Sequence, residues 1–270
     1  METEQLKQIA VDVRRDIITM IAQAGSGHPG GSLSAVELVV TLYFKEMKFS
    51  AEKPQDPGRD YFILSKGHAC PVLYAVLAQL HCIEGSELCT LRKTGSRLQG
   101  HPSKDKNVPG IEVSTGSLGY GLSIGVGAAL GHKRENKTNR VYVLMGDGEQ
   151  QEGSIWEAAM SAGHFKLDNL CGIVDLNGLQ IDGKVSDVMN VEPLAEKYRS
   201  FGWNTIEING HDLSEIIGAF EIARKTKGKP TAIIARTVKG KGVSFMEGVV
   251  GFHGRAPTPQ EAQRALKELA

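Results

Sequence analysis

Short apolar runs of the kind that form buried strands alternate with helix-type patterns along most of this 270-residue chain. The runs that predict strands are 61–65, 141–145, 170–176, 203–208 and 231–237. Helix-type patterns lie between them at 71–80, 156–165 and 212–225. Strands that alternate with helices form a mostly parallel sheet with helices on both faces. The sequence therefore predicts an α/β fold, and it contains neither an internal repeat nor a low-complexity linker.

Two helix starts carry the capping-box pattern, in which Ser or Thr is followed three residues later by Glu. Ser34 and Glu37 form one such pair, and Thr258 and Glu261 form the other at the start of the last helix. We expect both hydroxyls to cap their helices. Because the last helix pattern ends with the chain, we expect residues 1–270 to form one complete single-domain subunit.

The charge balance argues against several classes of partner. Lysine plus arginine (31) equals aspartate plus glutamate (31), so no overall field favours nucleic acid or an acidic membrane. No apolar run approaches the length that a bilayer requires, and the charged start METEQLKQIA lacks the apolar core of a signal peptide. The four cysteines include no C-x-x-C pair. We therefore expect a cytoplasmic protein with reduced thiols.

The segment VYVLMGDGEQQEGSIWEA predicts a strand, a glycine turn and a helix, an arrangement that often binds phosphate. This turn instead carries the carboxylates Asp147, Glu149 and Glu152. A carboxylate about 4 Å from a phosphate charge would cost roughly 4 kcal/mol at an effective dielectric constant near 20. A divalent cation between the two charges would turn this repulsion into attraction, and Mg²⁺ prefers carboxylate, phosphate and water oxygens.

A second protein oxygen is expected at the end of the next strand, where Asn177 lies 30 residues after Asp147. That spacing accommodates one helix and one strand, so the two side chains should converge at adjacent strand ends. Gly148 has no β-carbon, which lets its N–H approach a phosphate oxygen closely. The alternative is that Asp147 is a turn residue. In that case Glu149, Glu152 and Glu157 would only offset a helix dipole, by ~0.3–1 kcal/mol each. The combination of G-D-G with Asn favours the metal–diphosphate site.

The segment GDGEQQEGSIWEAAMSAGHFKLDNLCGIVDLNGLQIDG resembles the thiamine-diphosphate motif of the transketolase family. The resemblance implies a three-layer thiamine-diphosphate-binding fold. It implies that Asp147, Asn177 and the backbone carbonyl of Leu179 bind Mg²⁺, or another divalent cation such as Ca²⁺ or Mn²⁺. It also implies that Gly148 contacts the diphosphate.

The segment STGSLGYGLSIGVGAALG resembles the family's loop and helix beside the aminopyrimidine ring, although its glycines also suit close packing of a helix on a sheet. Glu152 and Glu157 match positions that the family places at the interface between paired active sites. By this resemblance the cofactor-binding residues are His68, Gly116, Ser117, Leu118, Gly148, Glu152, Asn177 and His253.

Six of the eight histidines directly follow glycine, and a single Gly-His pair is more often a turn or cap than a catalyst. Loop contexts distinguish four histidines: His28 in SGHPGG, His68 in LSKGHA, His101 in QGHPS and His253 in GFHGRAP. The histidines that we expect to be structural are His132, His164 and His211, at helix ends.

The four loops also resemble transketolase loops that surround the thiazolium ring and the donor sugar. The resemblance implies that His28, His101 and His253 are catalytic: they bind hydroxyls of the donor or of the two-carbon intermediate and move protons. His68 and His253 would lie near the diphosphate. We expect neutral imidazoles with pKa values near physiological pH.

Transketolases are normally more than twice as long, and the resemblance covers only their N-terminal, diphosphate-binding domain. In the family, the glutamate that protonates the aminopyrimidine and the arginines that bind the sugar phosphate lie in the following domain. We therefore predict half of a split transketolase, with a separate C-terminal subunit that supplies the pyrimidine-binding domain and two copies of each subunit. The implied reaction transfers a two-carbon ketol unit from a ketose to an aldose, usually as sugar phosphates, as in the pentose phosphate pathway.

Other functions stay open. The 1-deoxyxylulose-phosphate synthases and the alpha subunits of 2-oxo-acid dehydrogenases also carry G-D-G followed by Asn, although QEG at 151–153 and the SGHPGG loop favour transketolase. A non-catalytic cofactor-binding or regulatory subunit is a further alternative. An aspartyl phosphatase fits poorly, because no second acid follows Asp147 in a D-x-D pattern.

Overall fold

The core of the protein is a parallel sheet, seen in a computed structural model that describes residues 1–270. The strands are β1 (Tyr61–Leu64), β2 (Val141–Gly146), β3 (Leu170–Leu176), β4 (Leu179–Gln180), β5 (Gly183–Lys184), β6 (Asn204–Asn209) and β7 (Thr231–Arg236). Five of them form the sheet in the order β1-β2-β3-β7-β6, and every neighbouring pair is parallel. The remaining two, β4 and β5, form a small antiparallel pair. The predicted parallel sheet is confirmed.

Helices connect the strands and cover both faces of the sheet. They are α1 (Thr3–Ala24), α2 (Pro29–Leu33), α3 (Val36–Thr41), α4 (Cys70–Gln79), α5 (Tyr120–Arg134), α6 (Gly153–His164), α7 (Val185–Met189), α8 (Leu194–Ser200), α9 (Leu213–Lys225) and α10 (Pro259–Glu268). None of them combines the length and the apolar character that crossing a membrane would require.

Side-chain alternation along the strands divides the interior into two cores, which confirms the three-layer arrangement. In β1, Phe62 and Leu64 face one core while Ile63 faces the other. The first core packs against α1, α3, α4, α9 and α10, and the second packs against α5, α6 and α8. Since both faces are covered, the strands are apolar on both sides, as parallel strands usually are.

One of the two predicted capping boxes is confirmed. The Thr258 hydroxyl accepts a hydrogen bond from the Glu261 N–H at 3.2 Å, and the Glu261 carboxylate accepts one from the Thr258 N–H at 2.8 Å. The prediction of a capping box at Ser34 and Glu37 is wrong. The Ser34 hydroxyl donates to the buried Asp175 carboxylate at 2.6 Å, and neither Ser34 nor Glu37 caps α3. A buried carboxylate needs donors more than a helix end does, so this tertiary contact overrides the local pattern.

The strand order decides which loops meet. The carboxyl ends of β1, β2, β3 and β7 lie along one edge of the sheet, because these four strands are parallel neighbours. The residues that follow them therefore converge on a single region. This is the edge where open parallel sheets bind their ligands.

Candidate active site

A cavity of about 310 Å³ lies at the carboxyl ends of the strands. The segments that line it are far apart in the chain, because each follows a different strand or helix. The predicted site residues that line it are His28, His68, Gly116, Leu118, Asp147, Gly148, Glu152, Asn177, Leu179 and His253. The sequence therefore identified most of the residues of this cavity.

Two predicted residues do not line the cavity. Both His101 and Ser117 are exposed in the isolated chain. His101 lies close by, since a β-carbon added at Gly116 would sit 3.1 Å from the His101 ring. Gly116 also has φ of +145°, a value that favours glycine. The close approach of the two loops thus depends on glycine at this position.

The predicted convergence of Asp147 and Asn177 is confirmed, because β2 and β3 are parallel neighbours. The Asp147 carboxylate accepts hydrogen bonds from the N–H groups of Gly148, at 2.8 Å, and of Gly178. Asn177 donates its amide N–H to Asp175 at 3.2 Å, which leaves the amide oxygen on the side of the Leu179 N–H. The two side chains line the same cavity.

The electrostatic environment of Asp147 favours a bound cation. Its side chain is buried, and this desolvation, together with the charge of Asp175, raises the pKa of Asp147 to about 6. The predicted ligand set of carboxylate, amide and carbonyl oxygens suits a hard divalent cation such as Mg²⁺. No group of three or more His, Cys, Asp or Glu side chains in residues 1–270 could hold a metal ion.

The surface beside Asp147 leaves room for a diphosphate. Gly148 and Gln180 both line the cavity, and a β-carbon at Gly148 would lie 3.2 Å from the Gln180 side chain, so glycine keeps the space between them open. The residues present therefore fit a cation bound to a diphosphate.

Three imidazole rings form a cluster on one wall of the cavity. The centroids of His28, His68 and His253 are 5.0–5.6 Å apart. Burial lowers the pKa of His28 to about 4, and burial with the nearby Lys239 charge lowers that of His253 to about 3. The predicted pKa values near physiological pH are therefore wrong for this chain, although the rings are neutral as expected.

The neutral rings of His28 and His253 can form hydrogen bonds to a ligand. The Nδ1 atoms of His28 and His253 are buried and have no hydrogen-bond partner. A buried polar atom without a partner costs about 1–3 kcal/mol, and both rings line the cavity, where they can form hydrogen bonds to ligand hydroxyls. The histidine cluster thus suits a polyhydroxylated substrate.

Two lysines in the cavity were missed by the sequence reasoning. Lys66 Nζ donates to the Asp175 carboxylate and to the Gly31 carbonyl, the latter at 2.9 Å. Lys239 Nζ donates to the Leu179 carbonyl at 2.9 Å, and burial beside the Lys66 charge lowers its pKa to about 8. Lys66 is paired with Asp175, whereas Lys239 has no carboxylate partner and suits an anionic ligand such as a diphosphate.

A usable sequence signal existed for both lysines, because each closely follows a predicted strand, in LSKGHA and TVKGKG. What the sequence lacked was the order of the strands. Only that order places the end of β7 beside the end of β3.

Glu149 has a different role from the dipole partner considered above. Its buried carboxylate accepts hydrogen bonds from the Ser65 hydroxyl, from the Gly119 N–H at 2.8 Å and from the Gly146 N–H at 3.0 Å. These donors follow β1, precede α5 and end β2, so one side chain connects three walls of the cavity.

Replacing Glu149 with Gln should destabilise the fold by about 1–3 kcal/mol, because the amide NH₂ would face an N–H donor and leave it unpaired. Urea unfolding measures this difference. Glu157→Gln, at an exposed position on the neighbouring α6, is the matched control and should change stability by less than about 0.5 kcal/mol. Equal stabilities of the two variants would contradict the bridging role.

Comparison with known proteins identifies the family of this chain. The family described as "Transketolase, thiamine diphosphate binding domain" matches residues 6–269. An apulose-4-phosphate transketolase subunit of Phocaeicola vulgatus is 42% identical over 270 residues, which cover 100% of this chain and 95% of that relative. A 6-deoxy-6-sulfo-D-fructose transketolase subunit of a Clostridium species is 43% identical over 95% of this chain and 93% of its own length.

Full-length transketolases match over a smaller part of their length. The mouse transketolase is 40% identical over 98% of this chain, which corresponds to 42% of the mouse protein. The structure of the Campylobacter jejuni transketolase superposes with a TM-score of 0.92 and 33% identity, and covers 100% of this chain and 43% of that one. The Pichia stipitis transketolase in complex with sedoheptulose-7-phosphate has a TM-score of 0.90 and 32% identity over 98% of this chain and 40% of its own.

The chain thus spans about two fifths of the length of these solved transketolases and nearly the full length of the two relatives that are themselves named as subunits. With fold, sequence and the family's own domain in agreement from end to end, this chain belongs to the transketolase family of transferases.

Proposed function

We propose that residues 1–270 form the single-domain cofactor-binding subunit of a two-subunit transketolase. The observation that carries this proposal is the cavity in which a buried carboxylate, an amide oxygen and a carbonyl oxygen lie beside two lysines and three neutral histidines. The names of the relatives support a subunit, since two of them are called transketolase subunits and match over nearly their whole length.

Each wall of the cavity has its own task in this proposal. Asp147, Asn177 and the Leu179 carbonyl would hold a divalent cation, and Lys239 would balance part of the charge of a diphosphate. Thiamine diphosphate, when bound, would supply the carbanion and the electron sink for ketol transfer.

The histidines would manage the substrate hydroxyls. The rings of His28 and His253 line the cavity, where they would bind hydroxyls and hold or accept a proton during cleavage and condensation. Because burial keeps the rings neutral, each ring would offer one N–H donor and one acceptor nitrogen at neutral pH. His101, on the exposed side of the Gly116 loop, would join them only when a substrate or partner covers that loop.

The rim of the cavity supports a partner subunit. Large apolar side chains are exposed around it, with Tyr120 at 59%, Ile181 at 67% and Met189 at 61% exposure. Exposed apolar groups beside a site favour a protein–protein contact. We infer that the C-terminal subunit covers this rim and supplies the pyrimidine-binding residues, and that two copies of each subunit form the cytoplasmic complex.

Replacing Ile181 with Glu should weaken association with the partner by at least about 2 kcal/mol, or roughly 30-fold, because a charge would be buried in the contact. Analytical ultracentrifugation of the complex purified from its own cells provides the reference. Ile222→Glu, half exposed on α9 at the other face of the sheet, should leave association unchanged. Equal effects of both variants would contradict the proposed rim.

Cation binding should weaken on acidification. The folded-state pKa of Asp147 is about 6, above its usual value, so the carboxylate is ionised and available above that pH. Below it a proton competes with the cation, and affinity should fall by up to about tenfold per pH unit. Titration calorimetry with Mg²⁺ and thiamine diphosphate between pH 7 and pH 5 measures this slope. An affinity that stays constant over this range would exclude Asp147 as a ligand.

The substrate is expected to carry an anion at the end distant from the carbonyl, because the relatives are named for apulose-4-phosphate and for 6-deoxy-6-sulfo-D-fructose. The reconstituted two-subunit complex should transfer ketol groups from phosphorylated or sulfonated ketoses in preference to uncharged ones. Release of carbon dioxide from pyruvate would move the assignment to the deoxyxylulose-phosphate synthase or 2-oxo-acid dehydrogenase type. Cofactor binding without turnover would indicate a regulatory subunit.

A further inference from the structure

A buried charged network lies behind the cavity and is not used by the proposed mechanism. Arg14 of α1 donates to the Glu37 carboxylate of α3 at 2.6 Å, and the other oxygen of Glu37 lies 3.0 Å from Nδ1 of His211. The side chains of these three residues are only 6–13% exposed. Burial by itself would raise the pKa of Glu37, but the hydrogen bonds from His211 and Arg14 lower it, so the carboxylate is charged.

This network contacts the loop after β7 at two points. The Val238 N–H donates to Nε2 of His211 at 2.8 Å, and Arg14 Nε donates to the Lys241 carbonyl at 3.0 Å. Lys239 lies between these two contacts, and its Nζ extends into the cavity to the Leu179 carbonyl. The loop is thus held on both sides of the lysine.

The contacts of His211 determine its tautomer. The Val238 N–H is a donor, so Nε2 of His211 must be an unprotonated acceptor. The proton is then on Nδ1, where it is donated to Glu37. Neither the imidazolium nor the Nε2–H tautomer satisfies both neighbours.

We propose that His211, oriented by Glu37 and Arg14, is a positioning residue that places the Lys239 amine in the cavity. It does not line the cavity, and it acts through the backbone of Val238. The relevance of this placement to diphosphate binding rests on the function proposed above, whereas the placement itself does not.

The first test compares two buried lysines in the full chain. Lys239 is 3% exposed and Lys66 is 2% exposed, but Lys66 is held by Asp175 instead of by the His211 network. Pulse labelling with acetic anhydride, followed by peptide mass spectrometry, should show Lys239 reacting about tenfold faster in His211→Ala than in the wild type, the factor expected from losing one hydrogen bond. Lys66 should not change.

The control variant is His164→Gln, at an exposed histidine that ends α6, and it should leave both rates unchanged. An unchanged rate for Lys239 in His211→Ala, or an equal rise for both lysines, would overturn the proposal, since the second result would mean general loosening. None of these labelling measurements requires cofactor, so their outcome is separate from that of the proposed function.

The second test uses the wild-type chain and does not depend on a variant that folds. Long-range ¹H–¹⁵N correlation at neutral pH should show a protonated Nδ1 and an unprotonated Nε2 for His211. The opposite tautomer, or an imidazolium, would overturn the network. A thermal-shift measurement with Mg²⁺ and thiamine diphosphate should then show a smaller shift for His211→Ala than for His164→Gln.

Discussion

Asp147→Asn is expected to abolish cation-dependent binding of thiamine diphosphate. The amide is a weaker ligand than a carboxylate, and its NH₂ group would face the N–H of Gly148 or Gly178, both of which now donate to the carboxylate. Loss of a metal-bound carboxylate should exceed the ~10–100-fold loss that is typical when a partner behind a ligand is removed. Calorimetry on the two-subunit complex measures the affinity, and a ketol-transfer assay should show a parallel loss of activity.

Asp187→Asn is the matched control, because Asp187 is exposed on α7 and its carboxylate bonds only to Ser186. This variant should bind cofactor as the wild type does. A melting curve in the absence of ligand distinguishes lost binding from lost folding. If Asp147→Asn folded normally and bound cofactor with unchanged affinity, the assigned metal site would be refuted.

Lys66→Met is expected to destabilise the fold by about 3–5 kcal/mol. Asp175 is fully buried, and Lys66 is the one positively charged side chain that bonds to it. Removing a single partner of a buried ion pair leaves an uncompensated charge, which is much more costly than the pair itself. The hydroxyls of Ser34 and Thr237 still donate to Asp175, so the variant should fold. Urea unfolding at pH 7 measures the difference in the free energy of unfolding.

The control for this variant is Lys225→Met, which breaks an exposed pair with Glu221 and should cost less than about 0.5 kcal/mol. The pH dependence provides a second criterion. In the wild type, burial raises the pKa of Asp175, but Lys66 and the hydroxyl donors outweigh this effect and lower it. The contribution of ionised Asp175 to the free energy of unfolding is therefore complete above about pH 4 and is lost as the pH falls further.

In Lys66→Met, burial should instead raise the pKa of Asp175. The folded variant then takes up a proton that the unfolded chain does not. The difference in the free energy of unfolding between wild type and variant should therefore become smaller between pH 7 and pH 4. A deficit that is independent of pH would indicate lost packing and not an unpaired charge.

Local sequence patterns predicted the five strands of the parallel sheet to within about a residue, but not the short antiparallel pair β4 and β5. The run 170–176 matches β3, whereas the predicted strand at 203–208 begins one residue later, at Asn204. Strand spacing also predicted that Asp147 and Asn177 would meet, because two consecutive βα units place their strand ends side by side. These features depend on residues close in sequence, which is why they could be predicted.

The local patterns failed where a distant partner competed for the same atoms. Ser34 has a capping-box sequence, yet its hydroxyl bonds to Asp175, a residue 141 positions away. Glu149 was considered as a dipole partner, yet its carboxylate bonds to Ser65 and Gly119. In both cases a buried polar group gains more from satisfying another buried group than from an exposed helix end.

The sequence by itself determined the α/β class, the strand ends, the acidic turn and most of the residues that line the cavity. The tertiary structure decided the strand order, and with it the placement of Lys66 and Lys239 beside Asp175 and Leu179. It also decided the protonation of the histidines, because the pKa of a side chain depends on desolvation and on charges within a few ångströms. Both quantities arise only when distant segments pack together, and no local pattern contains them.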